Sequence, residues 1–173
     1  MTGKIKVLFI CHGNICRSPM AEFVLKDMVA KRGIAEDFII ASAATSNEEI
    51  GNHIYPPAKA ELARHGIGGT YAKDCGLSQE EWRRIAAELS EKTARRIRRS
   101  DYEEYDYLIA MENFNIRNMM REFVDDPEDK IHRLLDFTDR PGDIDDPWYT
   151  RRFDVTYEEI VKGCEGFLKT LGY

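Results

Sequence analysis

Lys6-Val7-Leu8-Phe9-Ile10-Cys11-His12-Gly13-Asn14-Ile15-Cys16-Arg17-Ser18-Pro19 is the stretch on which the reading of this chain turns. Its apolar start predicts a strand from Lys6 to Ile10 that runs directly into a polar loop, Cys11 to Arg17. A helix follows at once. Ser18 is a favourable N-cap residue and Pro19 suits the first helical position. Ala21, Val24, Leu25 and Met28 then recur at helical spacing until Gly33 ends the run. A strand, a tight polar loop and a helix N-terminus in immediate succession make a place for an anion. Ligands of parallel α/β sheets bind beyond the carboxyl ends of the strands, where helix N-termini offer unpaired N–H groups and the positive end of a dipole.

Outward from this unit the alternation continues. A second strand is expected at Phe38 to Ala43, and a helix at Pro57 to His65 stops at Gly66. Tyr107 to Met111 and Ile131 to Leu135 read as further strands, with a helix at Asn113 to Phe123 between them. A last helix carries Ile160, Cys164, Phe167, Leu168 and Leu171 on one face. Repeated strand and helix argue for an α/β three-layer sandwich on a parallel sheet. Within residues 68–91, Ser78 and Glu81 form a capping box, with Leu77 and Trp82 at hydrophobic-staple positions. Trp82, Ile85, Ala86 and Leu89 give the helix that follows one apolar face, which has to cover part of the fold or wall its site.

Composition narrows the classes. A chain of 173 residues, 43% of them hydrophobic, suits one domain, 1–173, with a real core. The formal net charge of -6 provides no general basic field for nucleic acid. Arg95, Arg96, Arg98 and Arg99 cluster, but beside many acidic residues they read as a solvated face. Val7 to Ile10 is far too short for a signal-peptide core or a membrane span, so no membrane partner is expected. Four cysteines do not make a secreted disulfide scaffold, which favours a reducing, cytoplasmic setting.

The chemistry is concentrated in the loop. Only Cys11 among the four cysteines has an arginine at the Cys-x5-Arg spacing. The field that attracts a phosphate also stabilises a thiolate, which makes Cys11 the candidate nucleophile. Arg17 brings a planar donor fork for bidentate contact with phosphoryl oxygens. Gly13 is read as the residue that lets the backbone turn and approach the ligand. Cys11, His12 and Cys16 lack a partner of paired spacing for zinc, so no metal is assigned. Far along the chain, Asp143-Ile144-Asp145-Asp146-Pro147-Trp148-Tyr149 offers carboxylates for general acid catalysis and two aromatic rings to pack against a substrate.

Cys11 to Pro19, followed by Met20-Ala21-Glu22, resembles the low-molecular-weight protein tyrosine phosphatases. Ser42-Ala43-Ala44, Gly51, Pro56, Arg64 to Ile67, Thr93-Ala94-Arg95, Asp101, Asp106 to Glu112 and Asp146-Pro147 occur in that family's order. The resemblance implies a flavodoxin-like, four-stranded parallel sheet and hydrolysis of phosphotyrosine and small aryl phosphates through a cysteinyl-phosphate. Cys11 would be the nucleophile, Arg17 the phosphate clamp, and Asp146 acid and then base. His12, Gly13, Asn14, Ile15, Cys16, Arg17 and Ser18 would cradle the phosphate, with Asn14 and Ser18 organising the loop and Ser18 hydrogen-bonding the thiolate. Cys16 would be able to form a reversible disulfide with Cys11. No cofactor is implied; the partners are tyrosine-phosphorylated proteins or peptides, with phosphate as product or inhibitor.

Departures from the family pattern lie on the walls of the cleft. Glu48 stands where an aromatic residue is usual, which would weaken clamping of the tyrosine ring and favour basic peptides; Trp148 and Tyr149 form the opposite wall. Lys92 replaces a usual histidine, Glu112 a usual aspartate, and residues 68–91 are an insertion. An arsenate reductase of the same fold is the alternative enzyme, with Cys75 as the only plausible relay thiol because Cys164 reads as core. A protein arginine phosphatase typically has threonine at the position of Ile15. A catalytically silent phosphate-binding module is the non-enzymatic alternative, against which Asp146 argues.

Overall fold

The structure is a computed structural model and describes residues 3–173. Four strands, β1 (Ile5–Cys11), β2 (Phe38–Ala44), β3 (Tyr107–Ala110) and β4 (Ile131–Arg133), form one sheet in the order β2-β1-β3-β4. Every pairing is parallel. β1 lies inside the sheet and is covered on both faces, so its sequence is a continuous apolar run rather than an alternation of apolar and polar residues. Val7, Phe9 and Cys11 face one layer with α1 (Arg17–Lys31) and α7 (Phe153–Thr170), whereas Leu8 and Ile10 face the other with α5 (Asn113–Phe123). The chain is thus the α/β three-layer sandwich expected from its alternation of elements.

Between β2 and β3 the chain forms α2 (Pro56–Arg64), α3 (Gln79–Glu91) and the short α4 (Asp101–Glu104). The capping box that announces α3 is present in full: Glu81 N–H donates to Ser78 Oγ, and Ser78 N–H donates to Glu81 Oε2. Ile85 and Leu89 bury the apolar face on the α1 and α7 side, with Trp82 half-buried beside them. Arg95 and Arg96, from the basic cluster, are tied to acidic residues, Arg95 by a two-pronged contact with Asp101 and Arg96 at 3.5 Å from Glu122. Among the described residues no helix is long and apolar enough to cross a membrane.

Two expectations are corrected at the element ends. Ser18 is not the N-cap: α1 begins at Arg17, Cys16 occupies the cap position, and no side chain caps it. The Ser18 hydroxyl faces Cys11 and Asn14 instead, so it is not available to the helix. The strand expected from Ile131 to Leu135 stops at Arg133, and Leu134–Phe137 forms a 3-10 turn that buries Leu134 and Leu135. That turn sits against α7 at Gly163 and Gly166. A Cβ on Gly163 would run into the Leu134 side chain, and one on Gly166 into the backbone carbonyl of Phe137. The close approach starts the connection that carries Ile144, Asp146 and α6 (Pro147–Thr150) back to the end of β1.

Gly166→Ala is therefore expected to destabilise the fold by about 1–3 kcal/mol through overpacking against backbone, despite the gain in helix propensity that alanine brings. Urea unfolding checks this, with Gly142→Ala as comparator because a Cβ there meets nothing within 4 Å. A Gly166→Ala midpoint equal to wild type would show that α7 tolerates a wider spacing.

Candidate active site

Cys11 ends β1 and is 2% exposed, at the floor of a cavity of about 160 Å³. The loop that follows wraps back to the N-terminus of α1, and its route is held on the β2 side. Thr45 N–H donates to the Cys11 carbonyl and Ser46 N–H to that of His12. Cys11, Gly13, Asn14, Ile15, Cys16, Arg17, Glu48, Glu49, Asp146, Trp148 and Tyr149 line the cavity. Residues distant in sequence thus meet over the carboxyl end of β1, as parallel-sheet topology requires.

The turn in this loop is made at Asn14, not at Gly13. Asn14 has φ of 58°, in the left-handed region, which asparagine tolerates better than most residues. Its side chain is 1% exposed and fully engaged. The amide nitrogen donates to Ser18 Oγ at 2.8 Å and to Ser42 Oγ at 2.9 Å, and Oδ1 accepts from Arg95 N–H at 3.2 Å. Gly13 lies beside Glu49, and a Cβ there would sit 3.4 Å from Glu49 Cγ, an ordinary contact distance.

The bonds around Asn14 have a fixed direction. Ser42 donates its hydroxyl proton to Glu22 Oε1 at 2.6 Å, so its oxygen is free to accept from Asn14. Ser18 likewise accepts from Asn14, which leaves its own proton for Cys11 Sγ, 3.0 Å away, or for the Ala43 carbonyl, 3.5 Å away. Asn14 N–H also points at Cys11 Sγ, at 3.3 Å. Both contacts bring a polar hydrogen-bonding group onto the sulfur. Glu22, nearly fully buried, is held by Lys26 at 2.7 Å and Lys92 at 3.6 Å. Lys92 also donates to the Ser42 carbonyl, and burial pulls its ammonium below the usual lysine range. Lys26 in turn contacts Glu88 of α3 at 2.9 Å, so α3 braces the network from behind; no residue from 68–91 lines the cavity.

Arg17 is 2% exposed. It donates to the Ile144 carbonyl at 2.8 Å and pairs with Glu112 Oε2 at 2.9 Å and Asp146 Oδ2 at 3.4 Å. Burial opposes its charge, but Cys11, Asp146 and Glu112 outweigh that and hold its affinity for the proton above the ordinary arginine value. Asp146 caps α6, accepting from Trp148 N–H at 3.0 Å, with Pro147 at the first helical position. Its loop is fixed by Ile144, wholly buried, whose N–H donates to the Met111 carbonyl at the end of β3. Trp148 packs on Tyr55 at 4.8 Å between ring centres, whereas Tyr149 is 82% exposed.

Most of the residues singled out in the sequence meet here. His12 and Ser18 do not line the cavity: Ser18 lies beneath Cys11, and the His12 side chain turns outward, its Nε2 3.0 Å from Glu48 Oε2. Cys16 lines the cavity, but burial above all, and then the nearby Cys11 and Asp146, push its thiol well up, so it stays protonated. Neither Cys75 nor Cys164 reaches the cavity. The sequence reading passed over Glu49 and the partner role of Glu112. It also missed Glu22, although a carboxylate on the apolar face of α1 was the available signal.

Comparison with known proteins agrees with this geometry. The family model described as low molecular weight phosphotyrosine protein phosphatase matches residues 6–89 and 78–173. The low molecular weight protein-tyrosine-phosphatase YfkJ of Bacillus subtilis is 33% identical over 169 residues, covering 96% of each chain. The low molecular weight phosphotyrosine protein phosphatase of Pongo abelii is 33% identical over 168 residues, covering 94% of this chain and 93% of its own. The crystal structure of YfkJ superposes with a TM-score of 0.82 at 32% identity, covering 99% of this chain and 96% of that one. With sequence, fold and loop in agreement, this chain belongs to the low molecular weight phosphotyrosine protein phosphatase family.

Proposed function

We propose that this chain, acting as one catalytic domain, hydrolyses phosphotyrosine in proteins and peptides, and small aryl phosphates, by two displacements at phosphorus. The observation that carries the reading is the sulfur of Cys11 at the cavity floor, facing the Ser18 hydroxyl and Asn14 N–H, with Arg17 and Asp146 lining the same space. A thiol meant only to fill a core needs none of these polar contacts.

In the first displacement the Cys11 thiolate attacks phosphorus, the S–P bond forms and the bond to the tyrosine oxygen breaks. Asp146 delivers its proton to that oxygen, so a phenol leaves rather than a phenolate. The guanidinium of Arg17 and the N–H groups of the loop at the start of α1 hold the three peripheral oxygens. Asp146, now a carboxylate, then takes a proton from water as the water oxygen attacks phosphorus. The S–P bond breaks, phosphate leaves and the thiolate is restored. Phosphate is thus both product and competing ligand. An arsenate reductase would pass its oxidation to further thiols, and neither Cys75 nor Cys164 lies at the cavity to receive it.

Cys11→Ser is expected to lower turnover of p-nitrophenyl phosphate by at least about 10³-fold, as loss of the nucleophile does in other covalent enzymes. Rapid acid quench of the wild type during turnover, followed by mass spectrometry, should find one phosphate on Cys11. Retained turnover in the serine variant, or phosphate trapped elsewhere, would end the cysteinyl-phosphate mechanism.

Asp146→Asn is expected to lower kcat/KM, which isolates the first displacement, by about 10²- to 10⁴-fold for phenyl phosphate. The loss should be far smaller for nitrophenyl phosphate, whose leaving group hardly needs the proton. Asp145→Asn should change little. Equal losses across a leaving-group series, or a larger one from Asp145→Asn, would place the acid elsewhere.

A further inference from the structure

The cavity has two unlike walls. Trp148 and Tyr149 reach it from α6; Glu48 and Glu49 reach it from the turn after β2. Glu48 meets only the His12 ring, at 3.0 Å, and both side chains are open to water, 69% and 35% exposed. Glu49 Oε2 accepts a hydrogen bond of 2.6 Å from the Asn52 amide, a neutral donor that leaves its charge uncancelled. Arg17 is the only cation among the lining residues, and Glu112 and Asp146 already face it. Arg151, which follows α6, does not line the cavity; its guanidinium lies 5.5 Å from the Trp148 ring centre and donates to the Tyr55 hydroxyl.

A phosphotyrosine entering here carries about -1.5 to -2 charges past two carboxylates. Like charges at an entrance slow encounter and weaken docking, and a compensating charge on the ligand reverses both effects. The aromatic rings among the lining residues come from α6 alone, and the turn after β2 contributes carboxylates instead of a ring, so a phosphotyrosine gains packing from that one element. Lysine or arginine beside the phosphotyrosine supplies what is missing: it cancels the repulsion and forms an ion pair at the rim. The sequence pointed to Glu48 alone; Glu49, which lines the cavity beside Gly13, makes this lining doubly acidic.

We infer that Glu48 and Glu49 are specificity-determining residues that select phosphotyrosine flanked by lysine or arginine, an inference that rests on the phosphotyrosine phosphatase reading above. Each exposed ion pair contributes a factor of roughly 1.5 to 5, so two acting together favour a lysine-flanked over a glutamate-flanked peptide by roughly 2- to 25-fold in kcat/KM. Because the pairs are exposed, raising the ionic strength shrinks the ratio.

The test compares phosphotyrosine peptides identical except for lysine, serine or glutamate on either side. Wild type and the Glu48→Gln/Glu49→Gln double variant are assayed at low and high salt, with p-nitrophenyl phosphate and wild type as the reference for catalysis. The expected result is a lysine over serine over glutamate ranking that salt compresses and that falls to within about twofold in the double variant. A wild type that turns over nitrophenyl phosphate but ranks the peptides equally, or a double variant that keeps the full ranking, overturns the role of the acidic wall and leaves the phosphatase reading standing. No turnover of either substrate class by wild type overturns both.

Discussion

The left-handed turn at Asn14 is the constraint on which the site depends. A non-glycine residue in that region is tolerated only where its surroundings over-determine it. Here they do: Ser18, Ser42 and the Arg95 backbone take every bond the Asn14 amide makes. Because the amide donates to both serines, their protons point away from it, one to Glu22 and the other to Cys11 or the Ala43 carbonyl. Backbone shape and the polar contacts on the sulfur are therefore one arrangement. The ion pairs of Glu22 with Lys26 and Lys92 anchor its far end, and Glu88 extends that anchor to α3. A helix outside the cavity thus contributes to the stiffness of the loop inside it.

Arg17 poses the opposite problem, a charge almost wholly removed from water. Such a charge persists only when paired and hydrogen-bonded. Glu112, Asp146 and the Ile144 carbonyl meet that need from two separate stretches of chain. The same contacts fix the orientation of the guanidinium and hold Asp146 beside it. In the proposed mechanism such a site would act mostly through prepaid positioning and electrostatics.

Much of the fold was legible because its signals are local. The apolar run of β1 and the capping box of α3 depend on neighbours a few residues away, and both elements occur where their patterns put them. The failures share one cause. Ser18 has the chemistry of a helix cap, but Cys11 across the loop and the Ala43 carbonyl of β2 claim its hydroxyl. Leu134 and Leu135 look like the end of a strand, but packing against α7 folds them into a 3-10 turn. Gly13 carries the residue type of a sharp turn, while the turn falls on Asn14, whose side chain finds partners across the sheet.

The sequence by itself determined which chemical groups stand around the loop: a thiol, a guanidinium at fixed spacing, an asparagine and a serine between a strand end and a helix start. Those follow from short-range periodicity and from spacing within one turn of chain. The tertiary structure alone decided which carboxylates meet them. Asp146 stood out through its loop and the family resemblance, but Glu22, Glu49 and Glu112 come from three other stretches, and in sequence each is one acidic residue among 31. Only the parallel sheet, with loops converging beyond the carboxyl ends of its strands, places Glu22 beneath the loop, Glu112 and Asp146 on Arg17 and Glu49 on the wall. Charge interactions act through space over several ångströms, so their partners are chosen by topology and not by order along the chain.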